Sequence, residues 1–206
     1  MEIVCLDLEG VLVPEIWVSV AERTGIEELR ATTRDIPDYG ALMAQRLRLL
    51  DRHGLKMADI QSAIDGMGPK EGASEFVDWL NRRYQLVVLS DTFYEFAQPL
   101  MAQLGWPTLF CHRLEVDGEG RVTGYHLRLE DHKRLAVAAF RGLNFKVIAV
   151  GDSYNDTNML AEADAGFLFR APDNVVAEFP QFPVTGEFSE LKNLLEKASG
   201  RFRNPN

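Results

Sequence analysis

The chain has 206 residues, 46% of them hydrophobic, with 22 Lys and Arg against 31 Asp and Glu for a net charge of −9. That length suits one large domain, or one domain carrying a smaller insertion, and the apolar fraction is too high for a disordered chain. The acidic balance argues against a binder of nucleic acid or of an anionic membrane, either of which needs a basic face. No apolar run approaches the ~18 residues of a membrane span. Met1 is followed by Glu2 and a strand-like run rather than by basic residues and a long apolar core, so a soluble, cytoplasmic protein is expected. Cys5 and Cys111 form no CxxC pair and read as small buried hydrophobes in a reducing compartment.

In chain order, residues 2–6 (EIVCL) are a short apolar run of strand formers that stops at Asp7. Between about residues 14 and 72 no convincing strand occurs. Segments 14–23, 39–52 and 57–65 instead show helical periodicity, broken near Gly25, Pro37-Asp38 and Gly54. A structureless loop of that length is improbable, so the interval reads as a helical subdomain inserted after the first strand. A helix over 74–84 places Phe76, Val77 and Leu80 on one face, and a strand follows over 85–89 (QLVVL). A helix over 94–104 precedes residues 113–128, where Asp117-Gly118-Glu119-Gly120 separates alternating segments and predicts a β-hairpin. A helix over 132–140 then leads to strands over 145–150 and 165–169, and RFRNPN at 201–206 reads as a frayed tail. Continuous apolar strands alternating with helices predict a doubly wound, Rossmann-like parallel sheet in an α/β fold. The division expected is a core of 1–13 and 73–206 with a helical insert of 14–72.

In an open parallel sheet, ligands bind beyond the carboxyl ends of the strands. The polar residues after each apolar run therefore carry the chemistry. They are Asp7-Leu8-Glu9-Gly10-Val11, Ser90-Asp91-Thr92 and Gly151-Asp152-Ser153-Tyr154-Asn155-Asp156, with Lys133 opening the helix before the last set. Carboxylates brought to one edge repel unless a cation sits among them, and a hard cation with oxygen ligands points to Mg²⁺. A carboxylate beside it can attack phosphorus and form an aspartyl-phosphate. A serine hydroxyl, a lysine and backbone amides can hold the phosphate oxygens.

These sets resemble the four motifs of the haloacid dehalogenase superfamily: DLEGV the nucleophile motif, LSD the hydroxyl motif, Lys133 the lysine motif and GDSYND the closing acidic motif. With its helical insert after the first strand, the chain looks most like the phosphoserine phosphatases. Among them it looks closest to a bacterial branch that also transfers phosphate to homoserine. The resemblance implies that Asp7 is the nucleophile and Glu9 the acid/base. Asp7, the Glu9 carbonyl and Asp152 would ligate Mg²⁺, with Asp156 supporting that shell. Ser90, Asp91, Lys133 and Asn155 would contact the phosphate. Glu15, Met43 and Arg46 would contact the rest of the substrate from a helical cap, Glu15 reading the amine and Arg46 the carboxylate. O-phosphoserine and homoserine are then the expected small-molecule partners, with no nucleic acid and no membrane, and a homodimer is left open. Two departures stand out: Glu9 replaces the usual Asp, and Asp91 stands where phosphoserine phosphatases commonly have Gly. Other readings are a phosphatase of another small ester, or a receiver-type signalling domain. Receivers, however, normally place the acceptor Asp after the third strand and need no helical insert. His53, His112, His126 and His132 lack mutual metal-ligand spacing and read as surface or structural residues, and Trp17, Trp79 and Trp106 as packing.

Overall fold

A computed structural model of the chain describes residues 1–32, 35–36 and 38–200. Strand β1 (Glu2–Leu6) is followed by helices α1 (Ile16–Thr24), α2 (Tyr39–Arg52), α3 (Met57–Asp65) and α4 (Ala73–Asn81). Then come β2 (Gln85–Phe93), α5 (Tyr94–Gln103), β3 (Thr108–Val116), β4 (Val122–His126), α6 (His132–Gly142) and β5 (Lys146–Gly151). The chain closes with α7 (Thr157–Glu162), β6 (Ala165–Phe169), α8 (Asp173–Glu178), β7 (Val184–Thr185) and α9 (Phe188–Ala198). The expected tail at 201–206, like Pro37 in one expected helix break, lies outside the described residues.

The strands form one seven-stranded sheet in the order β4-β3-β2-β1-β5-β6-β7. All neighbours run parallel except β3 and β4, whose antiparallel pairing is the predicted hairpin. Strand order reverses at β1, which pairs with β2 on one side and β5 on the other. The carboxyl ends of these three strands therefore flank the crevice where an open α/β sheet binds ligands.

Each central strand alternates between two cores, as a pleated strand buried on both faces must. Val4, Leu6, Val88, Ile148 and Val150 join the cluster that includes Phe76 and Leu80 of α4 and Leu191 and Leu195 of α9. Ile3, Cys5, Val87, Leu89, Val147 and Ala149 join the opposite cluster with Val137 of α6 and Met159 of α7. Both cysteines are buried free thiols. No described helix is long and apolar enough to cross a membrane.

Between β1 and α4 the described residues hold helices and no named strand, as the sequence led us to expect. This interval is tied to the sheet at several points. The Met57 N–H donates to the Gly120 carbonyl, in the β3–β4 turn, at 2.8 Å. Tyr39 packs edge-on against Tyr125, ring centroids 5.9 Å apart.

Three features depart from expectation. Strand β2 continues to Phe93, four residues past its predicted end, carrying Ser90 and Asp91 within the strand. The first half of β3 joins β2 in parallel before its second half turns into the hairpin, so one strand serves two pairing modes. Strand β7 has only 2 residues, too few for any alternation to register.

Gly166 of β6 lets α7 approach the sheet, because a Cβ there would lie 2.6 Å from the Leu160 carbonyl oxygen. Gly166→Ala is expected to destabilise by about 1–3 kcal/mol through overpacking against backbone. Gly118→Ala, where nothing lies within 4 Å of the new Cβ, should stay within about 0.5 kcal/mol. Chemical denaturation of both variants checks the contrast.

Candidate active site

Asp7 caps β1. Its backbone N–H continues the sheet by donating to the Val150 carbonyl at 3.0 Å, and the residue is 4% exposed. Oδ1 accepts the Leu8 N–H at 2.7 Å, and Oδ2 lies 3.1 Å from Lys133 Nζ. Burial, and then the charge of Asp156, push the Asp7 carboxyl well above the usual carboxylate range, against the pull of Lys133. Two residues on, Glu9 sits in a tight turn closed by the Gly10 N–H donating to Val13 at 2.9 Å. Its Oε1 accepts the Ile16 N–H at 2.7 Å, so this side chain satisfies an otherwise orphaned donor at the start of α1. Burial, with Glu15 adding to it, raises the Glu9 carboxyl to about 7 despite the Ile16 N–H and Arg46. Gly10 has a positive φ of 79°, and a Cβ there would overlap the Asp152 carboxylate. Glycine is what lets the first and third motifs meet.

The third motif is a reciprocal cap. Asp156 Oδ2 accepts the Asp152 N–H at 2.9 Å and the Ser153 N–H at 3.2 Å, while Oδ1 lies 2.8 Å from Lys133 Nζ. The Asp156 carboxylate is thus fully engaged in folding its own loop and holding the lysine. Asp152, 7% exposed, has no side-chain hydrogen bond or ion pair among the described residues. Burial, then the charges of Asp156 and Glu15, raise its carboxyl to about 7. Oxygens of Asp7, Asp152 and Asp156 lie within 4.8 Å of one another.

Lys133 occupies the middle. It is 2% exposed and its ammonium contacts Asp7, Asp91 and Asp156 at 3.1, 3.0 and 2.8 Å. Burial alone would lower its pKa, but the three carboxylates raise it well above the usual lysine value. Ser90, 1% exposed, accepts the Thr92 N–H at 3.3 Å, which leaves its hydroxyl proton free for an incoming oxygen. Asn155 Nδ2 donates to Asp91 Oδ2 at 2.6 Å.

A cavity of 260 Å³ opens over these groups, with Tyr39, Leu42 and Arg46 of α2 and Glu15 and Trp17 on its other wall. Arg46 is 7% exposed. Its guanidinium stacks 4.6 Å over Trp17, and Nη2 donates to the Ala31 carbonyl at 2.9 Å. Nε is buried without a partner, and among the described residues no carboxylate forms an ion pair with the group. Burial lowers its pKa to about 10, partly offset by Glu9 and Tyr39, so it stays cationic at neutral pH. Met43 is fully buried with its sulfur 3.7 Å from Arg46 Nη1; it lies beneath the guanidinium and is not among the residues lining the cavity. Glu15 is exposed on the rim.

Every other residue anticipated for the site also borders this cavity, apart from Asp156 beneath it. The sequence reading missed Tyr39, whose hydroxyl donates to the Asp91 carbonyl at 3.4 Å, and Lys70, whose ammonium donates to the Gly10 carbonyl. Of the four histidines, two prove buried and structural. His112 and His132 are 3% and 4% exposed, and both face Asp91. Spacing could not reveal this, because His112 comes from β3 and His132 from α6. The one clue was position, His132 being next to Lys133.

The arrangement offers a buried carboxyl at Asp7, a carboxyl at Glu9 that carries a proton near neutral pH, and hydroxyl, ammonium and amide groups from Ser90, Lys133 and Asn155 around one cavity. The donor set fits a hard divalent cation: Asp152 presents an unengaged carboxyl beside Asp7, and both are raised first by burial and then by neighbouring negative charge.

The family model for haloacid dehalogenase-like hydrolases matches residues 1–164. The chain is 67% identical over 201 residues to a phosphoserine phosphatase of Pseudomonas syringae pv. tomato, covering 98% of this chain and 85% of that one. It is 65% identical to the phosphoserine phosphatase ThrH of Pseudomonas aeruginosa, covering 98% of both. Among solved structures, a phospho-aspartyl intermediate analogue of phosphoserine phosphatase superposes with a TM-score of 0.77 at 23% identity, over 94% of this chain and 98% of that one. That last likeness speaks for the fold. The three strand-end motifs, Lys133 at the start of α6, the sheet that brings them together and the extent of the match agree: this chain belongs to the haloacid dehalogenase-like hydrolase family.

Proposed function

We propose that this protein is an Mg²⁺-dependent phosphatase of O-phosphoserine that works through an aspartyl-phosphate on Asp7 and also passes the phosphoryl group to homoserine. The observation that carries the substrate is Arg46. A guanidinium buried in an acidic cavity without a carboxylate partner is costly unless a ligand supplies one. An amino-acid phosphate does so, placing its phosphate at Asp7 and its carboxylate at α2. Glu15 on the rim suits the ammonium group. Residues 14–72 act as the cap, over a core of 1–13 and 73–206.

In this reading an Asp7 oxygen attacks phosphorus, the ester P–O bond breaks, and Glu9 gives its proton to the departing serine oxygen. A carboxyl raised to about 7 holds enough of its acid form at neutral pH for that task. Water then attacks the phosphorus, Glu9 takes its proton, and phosphate leaves Asp7. A homoserine hydroxyl in place of water yields phosphohomoserine by the same proton path. Ser90, Lys133 and Asn155 orient the phosphoryl oxygens. Asp7, the Glu9 carbonyl and Asp152 would hold Mg²⁺, which when bound offsets charge on the phosphoryl group.

Asp7→Asn replaces the nucleophile with a near-isosteric amide. It should cut both phosphate release and phosphohomoserine formation from phosphoserine by more than about 10³-fold. Retention of either product in an Mg²⁺ assay, followed by ³¹P NMR, would remove the covalent route. Arg46→Ala should lower kcat/KM for phosphoserine about 10- to 100-fold, as expected for a charged hydrogen bond. p-Nitrophenyl phosphate, which lacks the carboxylate, should change little, and equal losses on both would exclude carboxylate recognition.

The raised Asp152 carboxyl also predicts a stability effect in metal-free protein. Its folded pKa of about 7 lies above the ordinary carboxylate value of ~4. The native state therefore holds the proton more tightly, and stability falls as pH rises from about 4 to about 7, then levels off. Asp152→Asn lacks this penalty. It should raise Tm by several degrees at pH ~8 and leave it nearly unchanged at pH ~4, while abolishing any stabilisation by added Mg²⁺.

A further inference from the structure

The sequence placed Asp91 among the substrate contacts, yet both of its carboxylate oxygens already have two partners. Oδ2 holds Lys133 Nζ at 3.0 Å and Asn155 Nδ2 at 2.6 Å. Oδ1 faces His132 Nε2 at 3.1 Å and His112 Nε2 at 3.6 Å. We propose that His112 and His132 are positioning residues for the phosphoryl site, clamping one oxygen of Asp91 so that its other oxygen fixes Lys133 and Asn155. The proposal rests on the phosphatase reading above and assigns work to two side chains that take no part in its chemical steps.

The hydrogen-bond polarity supports a clamp. The Arg128 N–H donates to His112 Nδ1 at 3.1 Å. A neutral His112 therefore carries its proton on Nε2, the atom facing Asp91. His132 is buried with Nδ1 unpartnered, so Asp91 is the only hydrogen-bond partner of its ring among the described residues. The rings pack edge to face, centroids 4.6 Å apart, which fixes both donors together. Burial alone would raise the Asp91 carboxyl, but Lys133 and the two facing histidines hold it well below the usual range, so it is an anion able to orient both donors on its far side.

The same polarity argues against a metal here, although ligand atoms of Asp91, His112 and His132 lie within 4.8 Å of one another. A cation at His112 Nε2 needs a lone pair on that atom. With the Arg128 N–H claiming the Nδ1 lone pair, the ring would have to lose both protons. The ammonium of Lys133 also already sits on the same carboxylate. The clamp joins β2, β3, α6 and the loop after β5. Asp91, Lys133 and Asn155 form part of the partition between the active cavity and a neighbouring cleft of 460 Å³.

The test uses the full chain with Mg²⁺, assayed in parallel on phosphoserine and p-nitrophenyl phosphate, because Lys133 and Asn155 would act on the phosphoryl group common to both. His132→Leu should lower kcat/KM about 10- to 100-fold on both esters, the range of coupling through a shared network. His132→Gln, whose amide nitrogen reaches roughly the Nε2 position, should stay within about threefold of wild type. In an Asp91→Asn background, His132→Leu should add less than about twofold, since the residue it acts through is gone. Should His132→Leu fail to fold, His132→Asn, whose nitrogen falls short of that position, replaces it with the same expectation. Gln losing as much as Leu would overturn the clamp, as would an undiminished loss in the Asp91→Asn background. So would stoichiometric zinc in the purified protein whose removal abolishes an activity that Mg²⁺ cannot restore. A wild type active on the aryl ester alone would sink the phosphoserine reading and leave the clamp testable on that ester.

Discussion

The site depends on one buried ammonium. Lys133 reaches the centre of a carboxylate cluster at the switch point of the sheet and touches an acid from each of three strand-end motifs. Burying a charge costs several kcal/mol unless its partners are close and well placed. Here the three contacts, at 2.8 to 3.1 Å, supply that compensation and hold the motifs to one another. The reverse also holds: Asp7, Asp91 and Asp156 could not crowd together without it. The lysine offsets only part of the negative charge. Burial and the remaining negative charge raise the carboxyls of Asp7 and Asp152, which lie within reach of one another.

The cavity separates chemistry from recognition along the chain. Its floor comes from the tips of β1, β2 and β5 and the start of α6, where parallel hydrogen bonding fixes side chains in three dimensions. Its far wall comes from α1 and α2, which pack by side chains and by a few bonds such as that of Tyr39 to the Asp91 carbonyl. Rigid placement suits the proposed nucleophile and acid, which must meet a phosphoryl group within tenths of an ångström. A helical wall tolerates replacement of single residues without disturbing the sheet. Glu9 links the two halves, because the side chain proposed to move the proton also accepts the first free N–H of α1.

Much of this was legible in the sequence because it follows local rules. Continuous apolar runs ending in acids identified β1, β2 and β5, and their order placed Asp7, Ser90 and Asp152 on one edge. The helical interval showed through its periodicity. What the sequence hid depends on contacts between distant segments. The parallel half of β3 carries a mixed Thr108–His112 stretch whose pairing is decided by β2, so no pattern marks it. Met43 sits at a spacing compatible with the cavity wall, and only packing shows that it lies beneath Arg46 instead. His112 and His132 are 20 residues apart on different elements, so their meeting at Asp91 has no signature in the sequence.

Asp91 shows how a departure from a family pattern can be absorbed. A carboxylate next to the site's hydroxyl residue would by itself repel a phosphoryl dianion. In the fold the same carboxylate is surrounded by four donors: two imidazoles, an ammonium and an amide. Its charge is thereby neutralised toward the cavity and used to aim Lys133 and Asn155. A glycine there would leave Lys133 with two carboxylates instead of three and Asn155 Nδ2 without its carboxylate acceptor, Ser153 alone holding the amide through its Oδ1. The acid and its histidine partners are physically consistent as a set, since a residue at 91 without a side-chain acceptor would leave two buried imidazole donors facing nothing. The substitution that looks least compatible with phosphate binding is the one that organises the groups best placed to bind it.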